Sequence, residues 1–579
     1  MAPRHRRNRR PGHAGQSAEQ SAEPLMRAKC PPHGDACKWH ARPYAYARLD
    51  GLFRWNGKAA AVAFRYRADR LERAQGANPP MTSDSIAKGG APAARSGARA
   101  DRRLDMRTKL FYGFGTVAYG VKENGFSYLL LLFYNQVVGL PARQVGLALL
   151  IALLFDATID PLIGQVSDNL RTPWGRRHPL MYAAALPLAI AYVAIWNPPH
   201  WSHQAQFFYL VVMAIVIRAL TSLYEVPSSA LAAEFSTGYD ERSVLLSYRY
   251  FFGWVGGLGI QLLAFAVLLT PDATHKVGQL NPVGYARYGV VASAVMFLAI
   301  LISTAGTHRQ IPNLMPPPPR RSLTPGAVVR EMAQTLSNRS FIFLLASTIA
   351  SAMAVGLGAA LNNYFNTFFW GFTARQISLL TAGVFLSAIF ALMLAPALSR
   401  AMGKRATAMI LTILSVGIII SPLLLRLMGL MPPNGSAALL AIIFVVSISS
   451  VTFGIVATTM GASMIADVVE VAELKTGRRS EGLFFAASAF VNKAVSGFGI
   501  LAASAIIEAI HLRAGVDPSK VSPDVMRHLA LLYVPTALGL YAVSLALLFG
   551  YRINRASHAE TLRQLAAEAE EAVHPAMGM

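Results

Sequence analysis

Charge is scarce in this sequence. Asp, Glu, Lys and Arg make up 14% of its 579 residues, while 54% are hydrophobic. Soluble domains carry about 25% charged residues, so the shortfall points to lipid as the surroundings of most of the chain. Cysteine is nearly missing too: Cys30 and Cys37 lie near the N-terminus, and the apolar part has none, so it gives no sign of redox compartment. With His33 and His40 these cysteines spell CPPHGDACKWH, donor atoms suited to zinc at a spacing that matches no standard finger. The expectation there is unstructured sequence and no metal. No P-loop is present, which argues against ATP-driven transport, and no Ser/His or metal-ligand constellation falls in the apolar stretches, which argues against an enzyme. No cofactor is expected. The first hundred residues also lack a 7–15-residue apolar run, so they are not a secretory signal.

The charge that is present is unevenly spread. Residues 1–105 hold 21 Lys/Arg and 9 Asp/Glu, about half of the total net charge of +23. A balance this basic is a mark of nucleic-acid binders, but the remainder sits in short loops between apolar runs, which is a membrane-protein pattern. No nucleic-acid partner is expected. The arm is rich in Arg, Ala, Pro and Gly without apolar periodicity. It reads either as a basic tail lying on anionic lipid or, more plainly, as an over-extended start ahead of the compact MRTKLFYGFG that opens at Met106.

From Phe111 onward, apolar stretches long enough to span a ~30 Å hydrocarbon core recur with short polar breaks. They fall near 111–137, 143–166, 179–197, 205–231, 246–270, 284–306, 341–370, 376–399, 407–430, 436–464, 482–508 and 529–552, giving twelve spans. The longest break, 307–340, contains PPPPRR and follows the sixth. The expected fold is therefore an all-α membrane protein with twelve transmembrane helices in two pseudo-symmetric six-helix bundles, the major facilitator arrangement. Its parts are a basic extension (1–105), an N-terminal bundle (106–306), a central loop (307–340), a C-terminal bundle (341–553) and a tail (554–579) that reads as a short exposed helix.

Basic residues in short loops set the orientation. Arg171, Arg176 and Arg177 follow span 2, Arg242 follows span 4, and Arg309, Arg320, Arg321 and Arg330 fill the central loop. Arg400, Lys404 and Arg405 follow span 8, and Lys475, Arg478 and Arg479 follow span 10. The alternate loops are poorer, apart from Arg513, Lys520 and Arg527 after span 11. Both ends of the core are thus expected in the cytoplasm, in a multi-pass protein of the cell (inner) membrane, most simply a monomer. The halves also echo each other. GQVSDNLRTPWGRR (164–177) corresponds to APALSRAMGKR (395–405), and AAEFSTGYDERS (232–243) to ADVVEVAELKTGRRSEG (466–482). Echoes at matching ordinal positions argue for duplicated six-helix units.

GQVSDNLRTPWGRR resembles the loop motif of the major facilitator superfamily, in which an acid at a helix end meets arginines. Asp168 with Arg176 and Arg177 can form charge-assisted bonds that latch the cytoplasmic side; setting topology is the plainer role. A closer resemblance covers 107–553. KLFYGFGTVAYG, FYNQVVGL, LLFDATIDPLIG, YEVPSSAL and FVNKAVSGFG are similar to segments of the glycoside–pentoside–hexuronide:cation symporters of the melibiose permease type. The family also contains carriers of lysophospholipids.

A charge at the bilayer centre costs about 2.5–3.5 kcal/mol on insertion scales. Eight such groups lie in the spans: Lys122, Glu123, Asp156, Asp160, Arg218, Glu225, Arg249 and Lys493. Snorkelling or packing pairs would account for one or two, whereas eight in one scaffold point to function. Asp156 and Asp160 are i,i+4 and share a helical face. Two adjacent acids repel unless a cation or proton neutralises one, which is the chemistry of a coupling site for Na⁺ or H⁺. Pro161 can help open the backbone beside them. The resemblance implies that Asp156 and Asp160 are cation-site acids and that Lys493 lies near them. It likewise implies that Glu225 and Arg249 touch the solute, a group to which Arg218, Lys122 and Glu123 are added as neighbours. The family's span-1 acid falls here on Gly120, its span-2 arginine on Leu153 and its span-4 tryptophan on Ser229. Glu123 can stand in for the first, and the resemblance does not extend to melibiose as the solute. The expected activity is symport of a glycoside or sugar-type solute with Na⁺ or H⁺. A carrier of lysolipids or other amphiphiles is the alternative, and a non-transporting membrane sensor is the reading from another class.

Overall fold

The computed structural model describes residues 104–236, 239–314, 339–476, 481–551, 560–561 and 563–565. At residues 239–240, 243, 339, 472–473, 475–476 and 481–494 it describes the backbone alone. The Cys30–His40 cluster, the arginines of 315–338, Arg478, Arg479 and the side chains of Lys475 and Lys493 lie outside the described residues.

Among the described residues the chain forms twelve long helical stretches. The first, α1 (106–137), alternates α-helical turns with π-turns at Gly125–Leu129 and Phe133–Val137. It is followed by α2 (Ala142–Asn169), α3 (His178–Ile195), α4 (His203–Phe235), α5 (Tyr239–Leu263) and α6 (Pro282–His308). The second half repeats the series as α7 (Arg339–Tyr364), α8 (Ala374–Met402), α9 (Lys404–Leu427), α10 (Ala437–Thr476), α11 (Glu481–Ala509) and α12 (Pro523–Leu548). Ten of them, α2–α10 and α12, are long and apolar enough to cross a membrane. The interrupted α1 and α11, whose described apolar part is Val495–Ala509, fall outside that criterion. Their crossing is a reading of the sequence.

The ends of equivalent helices are built alike. α1 and α7 each run into a π-turn, at Phe133–Val137 and Phe365–Phe369. Each then turns on a glycine with positive φ, Gly139 (94°) and Gly371 (66°), a backbone that favours glycine. α2 and α8 start at equivalent positions, after Pro141 and after Thr373, and Thr373 closes a capping box with Gln376. α10 runs for 40 residues, beyond the expected 436–464, because the polar stretch after Met464 stays helical.

Glycines set how closely the helices cross. α1 and α5 meet through Gly113, Gly120, Gly253, Gly256 and Gly257; a Cβ on Gly120 would lie 2.0 Å from the Gly253 carbonyl oxygen. Small residues of this kind let membrane helices approach backbone to backbone. The halves meet the same way at one end: a Cβ on Gly146 of α2 would sit 2.1 Å from Ser504 Oγ of α11, and one on Gly497 2.8 Å from Leu150. Every hydrogen bond between the halves among the described residues lies toward this end. Asn363 donates to the Tyr128 carbonyl (2.6 Å), Tyr364 to Asn135 Oδ1 (2.9 Å) and Gln279 to the Phe372 carbonyl (2.7 Å). At the opposite end, which carries Arg176, Arg177, Arg400 and Lys404, α2 and α8 leave Leu162, Val166, Leu392 and Met393 exposed. We call the two the closed end and the basic end.

Candidate functional site

α4 carries the polar stripe on which the charged residues assemble. Arg218, Ser222 and Glu225 recur at i, i+4 and i+7 and so face one direction. Arg218 Nη1 donates to Asp156 Oδ2 at 3.1 Å and Ser222 Oγ to Asp156 Oδ1 at 2.9 Å. The Arg218 guanidinium also lies over the Phe126 ring, 5.1 Å from its centroid. Two turns on, Glu225 and Ser228 both accept from Arg249 of α5, and the Ser228 bond is 2.8 Å. Arg249 stands 5.3 Å over the Tyr112 ring. Asp156, Arg218 and Arg249 are buried, while Glu225 keeps 23% of its side chain exposed and its Oε2 has no hydrogen-bond partner.

Two charges expected to serve separate tasks therefore form one ion pair. Arg218, grouped by sequence with the solute contacts, is the partner of Asp156, grouped with the ion. The repulsion between Asp156 and Asp160 is relieved at Asp156 by a guanidinium from the neighbouring helix. Asp160 is half-buried one turn away, ahead of Pro161. Proline lacks an N–H, so the Ala157 carbonyl between the two acids loses its usual helical donor.

On α1, Lys122 is buried and bonds Glu123 Oε2 at 2.7 Å, with its ammonium 4.8 Å from the Tyr119 ring centroid. Glu123 is 40% exposed. The Tyr119 hydroxyl lies within electrostatic reach of Glu123, Glu225, Asp156 and Arg218, groups carried by α1, α2 and α4. Tyr119 and Phe126 are rings beside these charges, against Lys122 and Arg218. Tyr112 is fully buried packing beneath Arg249. Asn124 and Asn363 each keep a side-chain oxygen without a hydrogen-bond partner.

The departures from the family pattern have physical reasons. An acid at Gly120 would collide with α5, so the carboxylate moves to Glu123. Leu153, in place of an arginine, is buried against Gly497 in the seam between α2 and α11.

At the basic end one expectation needs correction. Asp168 bonds Arg177 (2.5 Å) and not Arg176; Arg176 reaches Glu234 at 2.8 Å instead. Arg177 also bonds Glu234 (2.8 Å) and Ser167 (2.8 Å). Asp168 is 58% exposed and Glu234 only 6%, so the buried acid gathers both guanidiniums. Glu234 lies in the last turn of α4, whereas the sequence places it in the loop after span 4. The other half has a counterpart, Lys404 at the start of α9 bonded to Asp467 of α10 at 2.5 Å. The echo AAEF and ADVV is the signal that pairs these two acids.

A family model described as MFS/sugar transport protein matches residues 111–555. The chain belongs to the glycoside–pentoside–hexuronide:cation symporters of the major facilitator superfamily. It is 26% identical to the symporter sll1374 of Synechocystis sp., over 80% of this chain and 97% of that protein. It is 23% identical to the isoprimeverose transporter of Lactiplantibacillus pentosus, over 69% and 79%. A bacterial homologue of the human lysosomal transporter Spinster has the same fold, with a TM-score of 0.53 at 13% identity over 79% of this chain and 97% of that one. This symporter-family chain is a multi-pass membrane transporter of small solutes and not an enzyme.

Proposed function

We propose that the protein couples the movement of a glycoside or related sugar to Na⁺ or H⁺ by alternating access in the inner membrane, with both ends of its core in the cytoplasm. The observation that carries this reading is the charged stripe of α4, where Arg218 meets Asp156 and Glu225 meets Arg249, with Lys122, Glu123 and Tyr119 of α1 as a further polar group. Carboxylates, a phenol and half-satisfied amides suit a solute with many hydroxyls, and the names of the symporter and isoprimeverose relatives agree with it. The closed end is then the outer one, and this arrangement is open toward the cytoplasm.

Asp156 links the two tasks. While it holds Arg218, neither group is available. A cation held by Asp156, Asp160 and the freed Ala157 carbonyl, or a proton on either acid, weakens the Asp156–Arg218 bond and releases the guanidinium toward the solute. Linkage makes the effect reciprocal, so solute tightens ion binding by the same factor. Glu225 and Arg249 would grip the solute, Glu123 and Lys122 would support it, and Lys493 would answer the acids from the other half. Asp168, Arg176 and Arg177 would form the cytoplasmic gate.

The test is solute affinity measured against Na⁺ concentration and against pH. Wild type should respond to one of them, and Asp156→Asn and Asp160→Asn should bind without that response. Identical responses in all three proteins would make the aspartates structural. Glu225→Gln and Arg249→Ala should weaken solute binding while leaving the ion response of any residual binding in place.

A further inference from the structure

The two seams that close the halves at the closed end differ. The α2–α11 seam is filled, with Gly146 against Ser504 and Gly497 against Leu150 and Leu153. The opposite seam, where the ends of α5 and α7 meet the start of α8, leaves a crevice of about 830 Å³. Its walls come from both halves: Phe265, Lys276 and Gln279 on one side, Thr367, Phe372 and Arg375 on the other, with Asp517 at its rim. It is separate from the ionic cluster on α4.

Two buried side chains on this wall are incompletely bonded. Gln279 is fully buried; its Nε2 donates to the Phe372 carbonyl, which leaves Oε1 as an acceptor with no partner. Thr367 is 2% exposed and its hydroxyl has no partner either. A buried polar atom left unsatisfied costs about 1–3 kcal/mol, so a ligand that reaches them with hydroxyl groups recovers that cost. Lys276 and Arg375 are exposed, and neither forms an ion pair among the described residues. Asp517 accepts from the Ser519 amide (2.9 Å) and hydroxyl (2.8 Å) within its own turn, and Lys276 and Lys520 lie within its electrostatic reach without an ion pair among the described residues. The crevice therefore offers hydroxyl-binding groups, phenylalanine walls for the apolar face of a ring, and two cations.

We propose that this crevice is a second binding site, for a hydroxylated carboxylate of the sugar-acid class. Because its walls belong to different halves, the site exists only while the closed end is shut. Its ligand stabilises that arrangement by differential affinity. The inference does not depend on which solute or ion is transported.

Calorimetric titration of the full-length protein with glucuronate tests it, glucose serving as the neutral comparison. Lys276→Ala/Arg375→Ala should weaken glucuronate binding at least tenfold, and Thr367→Val should weaken it less. Arg249→Ala and Glu225→Gln, which alter the α4 cluster, should leave it intact. A second readout uses Ser504→Cys in a background where Cys30 and Cys37 are serine. Ser504 is buried against Gly146 in the shut seam, so glucuronate should slow thiol labelling there, and should cease to do so in the Lys276/Arg375 double variant. Failure of glucuronate to bind wild type, equal binding by the double variant, or loss of binding only in the α4 variants would overturn the proposal.

Discussion

At the closed end the two halves are joined by neutral hydrogen bonds and by glycines pressed against the opposite helix. At the basic end, every ion pair among the described residues lies within one half. Arg176, Arg177 and Glu234 tie α3 to α4, and Lys404 and Asp467 tie α9 to α10. A buried ion pair costs several kcal/mol to desolvate and is expensive to break, whereas a neutral bond contributes about 0.5–1.5 kcal/mol. The buried pairs at Glu234 therefore stiffen the N-terminal half, and the neutral bonds make a joint that can open. An alternating mechanism requires that division.

The contrast can be broken most severely at Glu234. Glu234→Gln leaves Arg176 and Arg177 without their shared buried acid, and should lower unfolding stability by about 3 kcal/mol, read as a fall in thermal midpoint. The closed end should respond in another quantity. Gly146→Val drives a side chain into Ser504, at an overpacking cost of about 1–3 kcal/mol. It should raise thiol labelling at Ser504→Cys about tenfold or more, with a smaller change in midpoint than Glu234→Gln. Removing the neutral joints one at a time sharpens the picture: Tyr364→Phe and Asn363→Val should each increase that labelling by a few-fold, matching about 1 kcal/mol. The smallest effect belongs to Lys404→Ala. Its ammonium is 35% exposed, so solvent screening leaves under about 1 kcal/mol, and its midpoint should stay close to wild type.

Much of the fold was legible because lipid imposes a simple code of long apolar runs and short basic loops. The ordinal echoes gave the repeat, and GLPARQ (139–144) beside GFTARQ (371–376) is a further one. The individual charges were legible as well, since each stands out in an apolar run. Their partners were not. Periodicity put Arg218 and Glu225 on one face of α4, but nothing in a single helix says that the first meets Asp156 and the second Arg249. That depends on how α2 and α5 are rotated against α4. The displacement of the span-1 acid from Gly120 to Glu123 has the same origin, since the approach of Gly253 is a property of two helices together.

The neutral bonds that join the halves have a consequence for salt. Mobile ions weaken interactions between exposed charges over a Debye length of about 8 Å at physiological ionic strength. The bonds from Asn363, Tyr364 and Gln279 involve no net charge, so added salt has little to act on in them. The exposed Lys276 and Arg375 of the crevice are groups that an inert electrolyte can screen. The parting of the closed end should therefore be less sensitive to inert salt in the Lys276→Ala/Arg375→Ala variant than in wild type.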